Sequence, residues 1–194
     1  MKKGIDPSFV DFSGETLTGA NFSNAELVKA RFSACLLMES RFPGASLIGA
    51  DFSEANLEWA DFSGADLTNS NMPGANLLCA TFNSAKLEKA NLEATTPQGA
   101  GIISAILHLF SIDAFASNPM KTHFRGADLR GANLAGAFLW GADFEYADLR
   151  GANLTGANLK EANFINARLD GANFDRADIS GAVLPGMSGN GSGR

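Results

Sequence analysis

The sequence has few of the residues that catalytic and metal sites use. Its 194 residues include two histidines, two cysteines, one tyrosine and two tryptophans. Neither His108 nor His123 has a serine or cysteine that the repeat described below would place beside it, and no His and Cys residues have metal-ligand spacing. The glycines follow the repeat and form no phosphate-binding motif. We therefore predict a protein that is not an enzyme and has no cofactor and no metal.

Basic charge and long apolar runs are also scarce. Lys and Arg number 15 against 21 Asp and Glu, and the isoelectric point is near 4.9, so direct nucleic-acid binding is not expected. The N-terminus has two lysines but lacks the apolar run of a secretory signal. A membrane span is the alternative for residues 101–116, but His108 and Asp113 interrupt them, and a bilayer core needs roughly 20 apolar residues. We expect a cytoplasmic protein without a membrane span.

What the sequence has in abundance is a five-residue repeat. Residues 126–141, GADLRGANLAGAFLWG, show its rule: a small residue at the first position, a large apolar residue at the third, and Gly at the fifth. The apolar third position recurs without a slip through 17 units from Phe12 to Leu92 and through 13 units from Phe124 to Leu184. Such strict periodicity indicates a repeat architecture.

A five-residue period excludes one apolar helical face, because residues five apart drift around a helix axis. In extended backbone the first and third positions share a side, and the second points away. The fourth and fifth positions then turn the chain, and the frequent Gly or Asn at the fifth suits the positive φ of a type II turn. Lys29, Glu54 and Trp59 predict other turn types at their corners.

The number of sides follows from the apolar residues. Phe and Leu alternate in the first array, a period of ten, and Phe124, Phe144 and Phe164 recur every twenty residues. We predict an all-β solenoid with four sides and about 20 residues per coil, whose core residues stack in ladders. The predicted core includes Phe22, Phe32, Phe42, Phe52, Leu57, Phe62, Leu67, Leu129, Leu134, Phe144, Leu149 and Phe164.

The units ADLRG, ANLTG, ANLKE and ANFIN resemble the pentapeptide-repeat family, whose consensus is A(D/N)LXX. The resemblance implies a right-handed quadrilateral β-helix with apolar side chains inside and charges outside. It implies little about activity, because members of the family differ in role. The abrupt start at Met120-Lys121 and the ending ATTPQ resemble a joined pair of adjacent cyanobacterial pentapeptide-repeat proteins.

Four segments are expected: a first array at 1–93, a linker at 94–121, a second array at 122–186 and a disordered tail at 187–194. The linker is predicted to contain a short α-helix, packed on the solenoid side or over an open coil end. Leu92 and Phe124 lie 32 residues apart, so one uninterrupted register cannot run through both arrays. Coaxial stacking is still expected, because each array end leaves backbone groups and core open. The apolar residues of the helix would be Ile102, Ile103, Ile106, Leu109 and Phe110.

Two surfaces are candidates for binding. An acidic belt without Lys or Arg occupies less than one coil. The alternative for its second-position residues is structural, because Asp and Asn there can form hydrogen bonds to the corner backbone. The residues of the belt are Asp51, Glu54, Glu58, Asp61 and Asp66. An apolar cluster consists of Leu36, Met38, Trp59 and Leu78, with Cys79 beside them, and a smaller group consists of Phe138, Trp140 and Tyr146. Scattered surface residues, or residues that the insert covers, are the alternative for both apolar groups.

The two cysteines bear on the compartment. Cys35 occupies a first position and is predicted to point inward, whereas Cys79 occupies a fifth position and is predicted to point outward. A disulfide between them is therefore not expected, which fits a reducing compartment.

These features favour a non-enzymatic scaffold that binds an unknown protein partner. The alternative, which the resemblance implies, is a DNA-mimic regulator of a type II topoisomerase, since some members of the family imitate DNA with an acidic rod. Six basic residues nearly balance the acids of the second array and weaken that alternative: Arg125, Arg130, Arg150, Lys160, Arg168 and Arg176.

Overall fold

The computed structural model describes residues 10–93, 95 and 121–186. The predicted linker helix, the predicted disordered tail and His108 lie outside the described residues. Within them, the backbone pairs through isolated parallel bridges and contains neither a continuous strand nor a helix. The structural elements of this fold are therefore the positions of the repeat.

Each bridge joins a second-position residue to its counterpart in the next coil. Asp11 bridges Arg31, and Arg31 bridges Asp51 in turn, twenty residues at each step. The backbone N–H of Asp51 donates to the carbonyl of Ala30 at 3.0 Å, and the N–H of Phe52 donates to the carbonyl of Asn71 at 2.7 Å. Because every fifth residue makes such a bridge, one coil has four sides and the chain forms a β-solenoid.

We number the four faces by the second-position residues that they carry. Face 1 carries Asp11, Arg31, Asp51, Asn71, Asn91, Asn133, Asn153 and Asn173. Face 2 carries Thr16, Leu36, Asn56, Asn76, Phe138, Asn158 and Asp178. Face 3 carries Asn21, Arg41, Asp61, Thr81, His123, Asp143, Asn163 and Val183. Face 4 carries Glu26, Ser46, Asp66, Lys86, Asp128, Asp148 and Arg168.

All corners in the described residues share one backbone conformation. The N–H of Glu15 donates to the carbonyl of Phe12 at 2.9 Å, closing a turn whose fifth-position residue has positive φ. Lys29, Glu54 and Trp59 have φ of 57°, 58° and 61°, so the prediction of other turn types there was wrong. The coil geometry imposes this conformation on side chains that rarely adopt it.

The corners allow a test of backbone strain. Ala34 has φ of 57°, whereas Gly64 has φ of 66° and open space where a Cβ would lie. Ala34→Gly is expected to stabilise the protein, and Gly64→Ala to destabilise it, each by about 1 kcal/mol. Urea unfolding of the two variants measures both effects, and equal signs for the two changes would contradict the interpretation.

The interior is filled by stacked rings and leucines. Phe42 stacks on Phe62 with centroids 4.7 Å apart and planes 3° apart, and it meets Phe52 edge-on at 88°. Phe therefore dominates faces 1 and 3 of the first array, and Leu fills faces 2 and 4. Of the predicted core residues, Phe22 alone is partly exposed, because it belongs to the first described coil.

The two arrays share the same four faces. Across the junction Thr81 bridges His123 and Asn91 bridges Asn133, so partners lie 42 residues apart rather than 20. The rings of Phe82 and Phe124 stack at 5.1 Å across the same boundary. Closure of the coil depends on where the intervening segment leaves and returns, and not on its length being a multiple of five.

Both cysteines are free and buried. The Cys35 thiol points inward and donates to the carbonyl of Phe12 at 2.8 Å. Cys79 does occupy a corner, with φ of 61°, yet it is only 4% exposed. Cys79 therefore has the predicted outward corner position, but the prediction that it belongs to an exposed apolar cluster was wrong.

Candidate interaction surfaces

The acidic belt reaches all four faces of the rod. Asp51 lies on face 1, Asp61 on face 3 and Asp66 on face 4. Glu58 lies on face 2 beside Asn56, and its N–H donates to the Asn56 side-chain oxygen at 3.2 Å. The five carboxylates thus surround a single coil, as their spacing predicts.

The belt is only one coil thick, because cations border it on three faces. Arg31 and Arg41 lie in the preceding coil and bridge through their backbones to Asp51 and Asp61. Lys86 follows in the next coil and places its Nζ 3.3 Å from an Asp66 oxygen. The negative surface is therefore interrupted along the rod axis on those faces.

Aspartates of the belt also bond their own corners. The Asp61 side-chain oxygen accepts the N–H of Ser63 at 2.9 Å and its hydroxyl at 2.6 Å. Burial disfavours the charge on Asp66, but hydrogen bonds from Thr68 and Lys86 outweigh it and lower the pKa of that carboxyl. These carboxylates have a structural role whether or not a partner binds them.

The apolar cluster lies on face 2. The N–H of Trp59 donates to the carbonyl of Leu78 at 3.0 Å, which places the two residues in successive coils. Leu36 and Trp59 are 42% and 47% exposed, and Met38 and Leu78 are half-buried. We call Leu36, Met38 and Trp59 the outer patch.

The residues of the smaller apolar group lie on two different sides of the solenoid. Phe138 and Trp140 belong to face 2, where the Phe138 N–H donates to the carbonyl of Thr95 at 2.9 Å. Tyr146 lies at the corner after face 3, with the Arg125 guanidinium 5.2 Å from its ring centroid. The repeat places residues 140 and 146 on different sides, so the prediction that Tyr146 joins the other two was wrong.

Face 4 of the second array carries a ladder of ion pairs. Arg130 and Arg150 each donate to the aspartate two residues before them, with Nη2 to Oδ2 distances of 2.7 Å to Asp128 and Asp148. Arg168 adds a contact to Asp148 at 3.5 Å. These side chains are partly exposed, so each pair stabilises the protein only modestly.

The ladder makes stability depend on pH in the acid range. The side-chain hydrogen bond from Arg150 is the main cause that lowers the pKa of Asp148 below its ordinary value of 3.8. Its stabilisation is thus complete above about pH 4 and is lost as the pH falls through the lowered pKa. Asp148→Asn is expected to flatten the acid limb of a stability profile measured by thermal unfolding. The exposed Asp170 on the same face is the control site, and an equal effect of Asp170→Asn would contradict this account.

No residues come together as a metal site in the part of the chain that the structure describes. His123 lies on face 3, where burial and Lys121 lower the pKa of its imidazole while Asp143 opposes them. The same residues contain no helix long and apolar enough to cross a bilayer.

Two family models match nearly all of the described residues. One, described as a pentapeptide repeat region, matches residues 10–92. The other, described as pentapeptide repeats, matches residues 122–160 and 157–186. The chain belongs to the pentapeptide-repeat family. This pentapeptide-repeat protein matches no curated protein.

Solved structures of several pentapeptide-repeat proteins are similar to it. HetL, involved in heterocyst differentiation regulation in the cyanobacterium Nostoc sp., is 29% identical over 92% of this chain and 88% of its own, with a TM-score of 0.22. Rfr23 from the cyanobacterium Cyanothece is 25% identical over 69% and 63%, with a TM-score of 0.25. QnrB1, a plasmid-mediated fluoroquinolone resistance protein, is 18% identical over 91% and 90%, with a TM-score of 0.45.

Sequence reasoning missed one feature of face 2. Asn76 and Cys79 hold outward positions but are buried. Their position in the sequence could have indicated this burial, because both belong to the last face-2 unit before the repeat breaks.

Proposed function

We propose that this pentapeptide-repeat protein is a non-enzymatic cytoplasmic scaffold that binds a protein partner through the outer patch. The observation that carries the proposal is the exposure of Leu36 and Trp59 in neighbouring coils of one face. Burial of apolar surface contributes roughly 25 cal/mol per Å². Tryptophan is also among the residues that most often dominate binding energy at interfaces.

The solenoid supports such a role because its surface and core are separate sets of residues. First and third positions fill the interior, while second, fourth and fifth positions face outward. A surface can therefore be adapted to a partner without disturbing the stacking. As part of the proposal, the coil is right-handed, as in the family, and the linker contains a short α-helix.

The patch can be tested with the whole protein as bait. Leu36→Glu/Trp59→Glu removes the patch, and Ile48→Glu is the matched control, because Ile48 is also an exposed apolar residue but lies on face 4. From a cyanobacterial lysate, a protein retained by the wild type and by Ile48→Glu but lost from the double variant is the expected result. Retention by all three baits, or by none, would argue against the outer patch as the binding surface.

The alternative function is DNA mimicry toward a type II topoisomerase. The observation in its favour is that the acidic belt reaches all four faces, and the bordering Arg31, Arg41 and Lys86 count against it. A supercoiling assay with a type II topoisomerase distinguishes the scaffold from the DNA mimic. A mimic inhibits the enzyme, and the double variant Asp51→Asn/Asp61→Asn relieves the inhibition. The scaffold requires no inhibition.

We infer that the chain joins two adjacent cyanobacterial pentapeptide-repeat proteins, with the second beginning at Met120. The sequence change at Met120-Lys121 supports this origin.

A further inference from the structure

Burial on face 2 changes abruptly at the junction. Asn76 and Cys79 are 1% and 4% exposed. Their counterparts one coil earlier are Asn56, which is half-buried, and Trp59, which is 47% exposed. Among second, fourth and fifth positions in the described ranges, these two alone are buried. The repeat itself does not explain this, because it makes both positions point outward.

The chain leaves and re-enters the solenoid beside these residues. Thr95 is anchored by its carbonyl, which accepts the N–H of Phe138 on face 2 at 2.9 Å. On the return, the Thr122 hydroxyl donates to the carbonyl of Leu77 at 2.9 Å, next to Leu78 and Cys79. Both ends of segment 96–120 are therefore attached at the gap in face 2 between Leu78 and Phe138.

The chemistry of the two surfaces is matched. Residues 101–112, GIISAILHLFSI, contain no Asp, Glu, Lys or Arg. Leu78, Cys79 and Phe138 are apolar, and Asn76 is already satisfied: its amide donates to the Asn56 oxygen at 3.0 Å and its oxygen accepts the Leu78 N–H at 3.1 Å. An apolar cover therefore leaves both the amide and the oxygen of the Asn76 side chain with a hydrogen-bond partner.

We propose that the junction patch, formed by Asn76, Leu78, Cys79 and Phe138, is the docking surface for the chain's own apolar residues 102–110. Attachment at both ends gives this segment a high effective concentration at the patch, so it outcompetes partners in solution. The outer patch lies one and two coils earlier and stays open. Burial raises the pKa of the Cys79 thiol to about 11, in agreement with an apolar cover.

The thiol of Cys79 reports on the cover directly. In a Cys35→Ala background, which places the consensus Ala at a first position, Cys79 is the single cysteine. Its reaction with Ellman's reagent is expected to be slow in the native protein and at least about tenfold faster in Ile106→Asp, which puts a charge on the docking segment. Ser104→Asp is the matched control, because helical spacing places it opposite Ile106, and its rate is expected to stay unchanged.

Three results would overturn the proposal. The first is a Cys79 rate that is unchanged in Ile106→Asp, or in a variant with residues 102–110 replaced by a Gly/Ser sequence of equal length. The second is equal acceleration by Ser104→Asp. The third is loss of protection when the wild type is diluted, because a second copy would then be the cover. Circular dichroism confirms that the solenoid is folded in each variant, so exposure by global unfolding is recognised.

Discussion

Phe52→Asp is expected to abolish the folded first array. Phe52 is fully buried, with its ring stacked on Phe32 at 4.8 Å and edge-on to Phe62 at 86°. Loss of a buried Phe side chain costs about 3–5 kcal/mol, and the carboxylate would have no partner in this apolar interior. Together, the lost side chain and the buried carboxylate cost as much free energy as the whole stability of a domain, which is about 5–15 kcal/mol. Loss of the cooperative thermal transition is the expected measurement.

The Phe52 ladder provides its own control. On the same face the third position changes from Phe to Met at Met72, which is also fully buried. Phe52→Met therefore places a residue that this environment already accepts, and it is expected to cost only about 1–2 kcal/mol. If Phe52→Asp unfolded at the same temperature as Phe52→Met, the assignment of the ladder as the core would be wrong.

The sequence predicted the fold well because the repeat links each residue to its side. A large residue at the third position must point inward in every unit once the backbone is extended, and Phe42 and Phe62 then stack because both belong to the same face. The corner conformation was predicted less well. Trp59 shows that coil geometry, and not the side chain, sets φ at the fifth position.

The candidate surfaces were only partly predictable, because exposure depends on more than position in the repeat. The spacing correctly places Leu36 and Trp59 on one face, since Leu36 stacks on Asn56, 20 residues later, and Trp59 belongs to the same repeat unit as Asn56. It does not reveal that Cys79 is buried, because that depends on the environment at the junction. It also cannot show that Lys86 reaches Asp66, because long side chains choose their partners in three dimensions.

The junction is expected to make the two arrays unfold as one unit. Besides the bridges, a ladder of asparagine amides crosses it: Asn133 donates to Asn91 at 3.2 Å, as Asn91 does to Asn71 at 3.0 Å. In a solenoid, stability is shared between neighbouring coils through such interfaces. A destabilising substitution in the first coil after the junction should therefore also lower the stability of the coils before it.

Phe124→Ala tests this coupling. Phe124 is fully buried and stacks on Phe82 at 5.1 Å and on Phe144 at 5.0 Å. Its loss is expected to cost about 3–5 kcal/mol, which lowers the melting temperature by roughly 10 °C. The two tryptophans report separately, Trp59 on the first array and Trp140 on the second, in backgrounds where the other is replaced by Phe.

Coupled arrays require both fluorescence transitions to coincide in the wild type and to fall together in Phe124→Ala. Phe124→Leu is the matched variant, because Leu129 and Leu134 occupy the same repeat position, and it should lower both transitions only slightly. A Trp59 transition that is unmoved while the Trp140 transition falls would show that the arrays are independent. The stacking of Phe82 on Phe124 would then add packing contacts without making the unfolding of the two arrays cooperative. Each array would have to be stable through the interactions within its own coils.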